Sequence, residues 1–179
     1  TPAPPHSALE WGTQGVLVFH SLSKRSAMTG WRVGFVAGDA EAVAAFRKVK
    51  TNVASGTPTF LQDAAAAALG DEEHVAAFRA EYRAKRDVMD AARRAAGLPD
   101  CTPPASLYRW QRAAPGQSGI DFAARLLEPD VAAVGTPGEW ISDLVADGTN
   151  PGAGYVRFAL VPSLEATKRV ADRIARLRF

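Results

Sequence analysis

Cysteine is almost missing from this sequence: Cys101 stands alone among 179 residues. An intrachain disulfide framework and a cysteine-rich metal site are therefore excluded, and a reducing compartment, the cytoplasm, is expected. Histidine is scarce as well. His6, His20 and His74 fall in unrelated segments, so no metal-ligand set is expected. Long apolar runs are missing, and nothing approaches the ~20 residues that a membrane-spanning helix needs. There is no excess of one charge either. The 21 basic and 19 acidic residues are interspersed, with no basic block interleaved with aromatics, so neither nucleic acid nor a membrane is an expected partner. The opening Thr1-Pro2-Ala3-Pro4-Pro5 has no basic or apolar region of a signal peptide; its lack of an initiator Met hints at processing or truncation.

What is present is ordinary globular composition, 47% hydrophobic and 22% charged, in a chain long enough to bury a core. Residues 1–15 read as a Pro- and Gly-rich loop. Val16 to His20 is a short β-branched run that predicts a buried strand, and Arg32 to Ala37 predicts a second. Asp39 suits the N-cap of a helix reaching about Asn52. Thr57 and Pro58 suit the cap and first position of an Ala-rich helix over 58–69. Asp71 suits the cap of a long helix to Ala96, stopped by Gly97 and Pro99, and its charged run Arg79 to Arg94 reads as a solvated face. Beyond it, Ser106–Trp110, Asp130–Val134 and Tyr155–Val161 read as strands and 135–138 as a turn. Helices are expected over Ile120–Leu127 and after Ser163. The fold class is α/β.

The informative segment is Ser21 to Gly34, S-L-S-K-R-S-A-M-T-G-W-R-V-G. Lys24 follows a strand expected to be buried. Desolvation, with Arg25 and Arg32 nearby, would favour the neutral amine, which attacks carbonyls to form a Schiff base. If the segment folds back like a hairpin, the Ser21 hydroxyl and the Arg32 guanidinium can converge into a cradle for phosphate. Gly30 and Gly34 would let backbone pass close to a bound group. An aldehyde-reactive lysine beside a phosphate cradle is what pyridoxal phosphate requires. The same residues also suit a polar surface loop between two strands.

The spacing resembles the lysine signature of class I/II (fold type I) aminotransferases, S-x-S-K-x-x-x-x-x-G-x-R-x-G, matched at Ser21, Ser23, Lys24, Gly30, Arg32 and Gly34. The resemblance implies that Lys24 carries pyridoxal 5'-phosphate as a Schiff base and that Ser21, Ser23 and Arg32 help hold it. Near the C-terminus Arg157 lies in Tyr155-Val156-Arg157-Phe158-Ala159-Leu160-Val161, apolar on both sides, where a guanidinium is costly to bury unless paired. A substrate carboxylate or a core acid would serve as its partner, or the side chain would snorkel out from an edge strand. The family has a carboxylate-binding arginine in a similar strand, which favours the substrate.

The resemblance covers the C-terminal half of the family. It implies that residues 1–70 are the end of the cofactor-binding large domain, 71–97 the interdomain helix and 98–179 the small α+β domain. Wording such as that of His20 to Asp39 and Gly154 to Pro162 is similar to succinyldiaminopimelate and LL-diaminopimelate aminotransferases of lysine biosynthesis. It implies amino transfer from an amino acid such as N-succinyl-LL-diaminopimelate to a keto acid such as 2-oxoglutarate, in a homodimer. The family's phosphate loop, ring-stacking aromatic and pyridine-holding Asn and Asp have no counterpart here, so this chain alone is expected to be inactive. A β-lyase or decarboxylase on the same fold, or a non-catalytic half complementing a separate N-terminal polypeptide, stays open.

Overall fold

The computed structural model describes residues 6–178; the Pro-rich opening 1–5 and Phe179 lie outside the described residues. The chain divides into two compact units, Thr1–Phe78 and Arg79–Phe179.

The first unit is built on an antiparallel hairpin of β1 (Leu17–Ser21) and β2 (Gly34–Gly38), with Leu17 opposite Gly38 and Ser21 opposite Gly34. A one-turn helix α1 (Leu22–Arg25) and a 3-10 turn (Thr29–Trp31) fill the connection. Two helices follow, α2 (Ala40–Val53) and α3 (Thr59–Gly70). The Asp39 carboxylate caps α2 by accepting from the N–H groups of Glu41 and Ala42, and it also accepts from Gly15 N–H, which ties the approach to β1 to the start of α2. These three hydrogen bonds hold its carboxyl below the usual aspartate range, that of Ala42 foremost. The helix α3 begins one residue later than its sequence suggests. Pro58 occupies the cap position, and the Thr57 carbonyl accepts from the Gln62 side chain instead of Thr57 capping the helix.

The hairpin is not buried as its apolar run predicts. Phe19 is 62% exposed and Phe35 42% exposed. A two-stranded ribbon has too little neighbouring structure to cover both faces; Phe19 meets Phe46 in an edge contact, 5.5 Å between ring centres. His20 stacks on Phe35 at 5.1 Å but stays exposed.

The long helix α4 (Glu73–Ala95) is introduced by Asp71, whose carboxylate accepts from the N–H groups of Glu73 and His74. It is ended by Gly97 in the left-handed region, φ +72°. The second unit holds the sheet of β3 (Tyr108–Arg112), β4 (Thr136–Pro137) and β5 (Tyr155–Ala159), all antiparallel in the order β3-β5-β4, with helices α5 (Gly119–Leu127) and α6 (Leu164–Ile174). Phe122 and Leu126 of α5, Val156 and Phe158 of β5, Met89 and Ala92 of α4, and Ala171 and Ile174 of α6 close one core. Full burial of each large member contributes roughly 1.5–3 kcal/mol.

Three expectations fail here. Asp130–Val134 is a turn running into irregular chain rather than a strand. The Val131 N–H donates back to Glu128 O, and Arg125 forks both oxygens of Asp130 at 2.8 and 2.7 Å, so the chain curls after α5. The pairing strand falls on Thr136–Pro137, where a turn is expected. The face of α4 is not wholly solvated either. Lys85, Asp90 and Arg93 are buried, because each has a partner: Glu81 for Lys85, Arg109 for Asp90, and Asp100 with the Leu98 carbonyl for Arg93. The pattern of alternating charge conceals this, since it shows the signs but not the partners.

Candidate active site

The segment from Ser21 to Gly34 does fold back. The Leu22 N–H donates to Val33 O at 3.2 Å, one step beyond the last ladder pair, and closes the loop at its neck. Leu22, Met28 and Val33 point inward and are buried against Ala65, with Ala64 and Ala68 beside them. The small side chains of α3 let the loop lie directly on the helix. Arg25 adds a second clamp: it donates to Ala68 O at 2.8 Å and pairs with Glu72. Its charge is thus spent on the end of α3, a correction to its expected role beside the lysine.

With the apolar residues turned inward, the polar ones are turned out. Ser21, Lys24 and Arg32 are exposed and Ser23 is half-buried. Lys24 is therefore not buried by the described residues, although it follows an apolar strand. Ser21 caps α1, its Oγ accepting from Ser23 N–H at 3.2 Å and keeping its own O–H to donate. The Ser23 carbonyl accepts from Thr29 Oγ1 at 3.0 Å, which ties the two arms of the loop. Arg32 is not in a strand. It sits in the left-handed region, φ +52° and ψ +44°, uncommon for a residue with a side chain. Its Nη1 donates to Thr29 O at 3.1 Å, one of the five N–H donors it carries. The hairpin register thus brings the backbones of Ser21 and Arg32 to one end, with Lys24 one helical turn from Ser21. A β-carbon on Gly34 would lie 2.3 Å from His20 O, so that glycine serves the hairpin itself; nothing lies within 4 Å of one on Gly30.

Arg157 lies in the second unit, on the middle strand β5. Its strand neighbours Val156 and Phe158 face the core, so Arg157 faces the other way, opposite Trp110 of β3 and Thr136 of β4. Its guanidinium lies over the Tyr108 ring, 4.9 Å from the centre, and its Nε is buried without a hydrogen-bond partner. Among the described residues no carboxylate lies within ion-pair distance of it, so the core-acid alternative finds no acid. The sequence hides the Tyr108 contact, which depends on strand register. The buried Arg109–Asp90 pair was hidden as well; its only signal is a charge at an inward-alternating position.

Residues 4–174 match the profile of the family described as aminotransferase class I and II. The chain belongs to that family. Class I and II aminotransferases depend on pyridoxal phosphate. A curated member from Syntrophobacter fumaroxidans, named LL-diaminopimelate aminotransferase, is 36% identical over 90% of this chain and 40% of its own length. One of the same name from Nitratidesulfovibrio vulgaris is 39% identical over 97% and 43%. Among solved structures, an aminotransferase from Neisseria meningitidis superposes with a TM-score of 0.79 at 36% identity, over 90% of this chain and 40% of that one. An aromatic aminotransferase from Pyrococcus horikoshii superposes at 0.73 and 29% identity, over 89% and 42%. The chain thus spans about two fifths of the length of the aminotransferases it matches.

The donors in the loop fit the phosphate of an aminotransferase cofactor: a serine O–H left to donate and an arginine fork with N–H groups left over, both exposed at one end of the hairpin. Among the described residues no group of three His, Cys, Asp or Glu side chains gathers as metal ligands, and no helix is long and apolar enough to cross a membrane.

Proposed function

We propose that this chain supplies the cofactor lysine, the phosphate anchors and the substrate-carboxylate anchor of a pyridoxal-phosphate-dependent aminotransferase. The observation that carries the reading is the closed loop 22–33, whose buried Leu22, Met28 and Val33 leave Ser21, Lys24 and Arg32 outermost. Bound pyridoxal phosphate supplies an aldehyde and an electron-withdrawing ring that stabilises charge at the substrate Cα. Lys24 would hold it covalently, and its amine would move the proton at the substrate Cα as general base and acid. Ser21 and Arg32 grip the phosphate and so keep the ring in register with the lysine; Ser23 holds the turn through its own backbone N–H. Arg157 takes the substrate carboxylate through its fork, its plane steadied by Tyr108.

The reaction proposed is transfer of an amino group from an amino acid to a keto acid, 2-oxoglutarate being the acceptor, in a homodimer. The relatives' names support a diaminopimelate as donor, N-succinylated or free, in lysine biosynthesis. The residues proposed as domain limits are 1–70, 71–97 and 98–179. Borohydride reduction after incubation with pyridoxal phosphate, followed by peptide mapping, tests the reading: the label falls on Lys24 among the five lysines and disappears in Lys24→Ala. Even labelling of all five would overturn it.

A further inference from the structure

The face of the β3-β5-β4 sheet that carries Arg157 carries a second, more exposed arginine that also lies over a tyrosine. Strand alternation turns Arg109 and Gln111 of β3 to the core and Tyr108, Trp110 and Arg112 to the open side. Arg112 stands opposite Tyr155, and Arg157 stands opposite Trp110. The two arginines are diagonal neighbours on one face, a spacing of roughly 7–8 Å that long side chains reach across.

Each guanidinium lies over a tyrosine: Arg157 over Tyr108 at 4.9 Å and Arg112 over Tyr155 at 6.0 Å. Trp110 stands between them, edge-on to Tyr155 at 6.3 Å and close against Gly138, where a β-carbon would come within 2.9 Å of its ring. Stacking on a ring holds a guanidinium flat and leaves its N–H edge free for a forked contact. Among the described residues neither arginine meets a carboxylate within ion-pair distance, whereas Arg93, Arg109 and Arg125 of this unit each do. Two like charges on one sheet face, with no carboxylate within ion-pair distance, repel each other unless anions join them.

We infer that Arg112 is a specificity-determining residue that takes the second carboxylate of a dicarboxylic substrate whose first carboxylate is on Arg157. This rests on the carboxylate role proposed for Arg157 and names the substrate class: an amino or keto acid with two carboxylates a few carbon atoms apart. A monocarboxylate engages Arg157 alone. A dicarboxylate bridges both arginines across the indole of Trp110, its methylenes lying on the ring.

The test is a titration of the chain with glutarate and, separately, with butyrate, read by NMR from the arginine Nε–Hε signals. Glutarate shifts the signals of both Arg157 and Arg112 and binds more tightly than butyrate, which shifts Arg157 only. Arg112→Gln raises the Kd for glutarate about tenfold, the size expected for one charge-assisted contact, and leaves that for butyrate unchanged. Arg112→Lys keeps the charge without the fork and recovers only part of the loss. The inference is overturned if the unsubstituted chain shows no preference for glutarate, or if Arg112→Gln weakens both ligands equally. Arg157→Gln separates this from the reading beneath it. Loss of both ligands supports the Arg157 role, whereas butyrate binding that survives overturns that role whatever Arg112 does.

Discussion

Replacing Asp90 by Asn tests the account of the second unit most sharply. Arg109 is 1% exposed, and its guanidinium pairs with Asp90 on α4. The same carboxylate accepts from Thr102 Oγ1 at 3.0 Å, and Arg109 Nε donates to Gln111 Oε1 at 3.4 Å. Asparagine keeps the shape and an acceptor oxygen, so what the substitution removes is the counter-charge. A buried guanidinium left without one costs about 3–5 kcal/mol. Each kcal/mol lowers the midpoint of a domain of 60–100 residues by about 4–8 °C, so thermal unfolding of this unit should fall by at least about 12 °C. Circular dichroism reads the midpoint in the far ultraviolet, and in the near ultraviolet it reads the aromatic environment that includes Trp110, the residue after Arg109. Both signals should move together, since β3 presents Arg109 to the core and Trp110 to the Arg157 face. The double replacement Asp90→Leu with Arg109→Met removes both charges and should recover most of the loss. A single Asp90→Asn variant within about 0.5 kcal/mol of the parent, the range of ordinary surface changes, would refute the reasoning, because it would mean that Arg109 does not depend on that partner.

Two further predictions concern the hairpin. Gly34→Ala places a β-carbon 2.3 Å from His20 O and must open the ladder at the Ser21 end, costing about 2 kcal/mol or more. Hydrogen exchange of the Leu22 N–H, which donates to Val33 O, should accelerate, while Gly30→Ala, with open space around it, should leave it unchanged. Asp39 links stability to pH. Its folded carboxyl lies below its usual range, so its contribution is complete above the unfolded value of about 3.9 and is lost as pH falls through the lower folded value. Denaturant unfolding between pH 7 and pH 2 should therefore weaken the parent more steeply than Asp39→Asn; equal slopes would contradict the role given to this cap.

Much of the fold is legible in local chemistry. Asp39, Ser118 and Ser163 accept from N–H groups of the first turns of their helices, and Gly97 ends α4 as its sequence suggests. What escapes is whatever depends on distant partners. The apolar run before His20 predicts burial, yet the hairpin finds little to cover Phe19 and Phe35 among the described residues. The charges of α4 look solvated because Arg109, far along the chain, is the partner that buries Asp90. The site divides in the same way. The spacing of Ser21, Lys24 and Arg32 shows which chemistry to look for, but the left-handed backbone at Arg32 and the diversion of Arg25 to Glu72 follow from the packing of Leu22, Met28 and Val33 on α3. Arg112 carries no signal of its own until the register sets it beside Arg157.

The central claim is that Lys24 reacts with an aldehyde whose phosphate is gripped by Ser21 and Arg32. Reductive labelling run in parallel with pyridoxal phosphate and with pyridoxal, which lacks the phosphate, tests it most directly. The account predicts that Lys24 is labelled preferentially by the phosphorylated aldehyde and that Arg32→Gln abolishes the preference while the other four lysines are unaffected. Equal labelling of Lys24 by the two aldehydes, or a preference that survives Arg32→Gln, would contradict it.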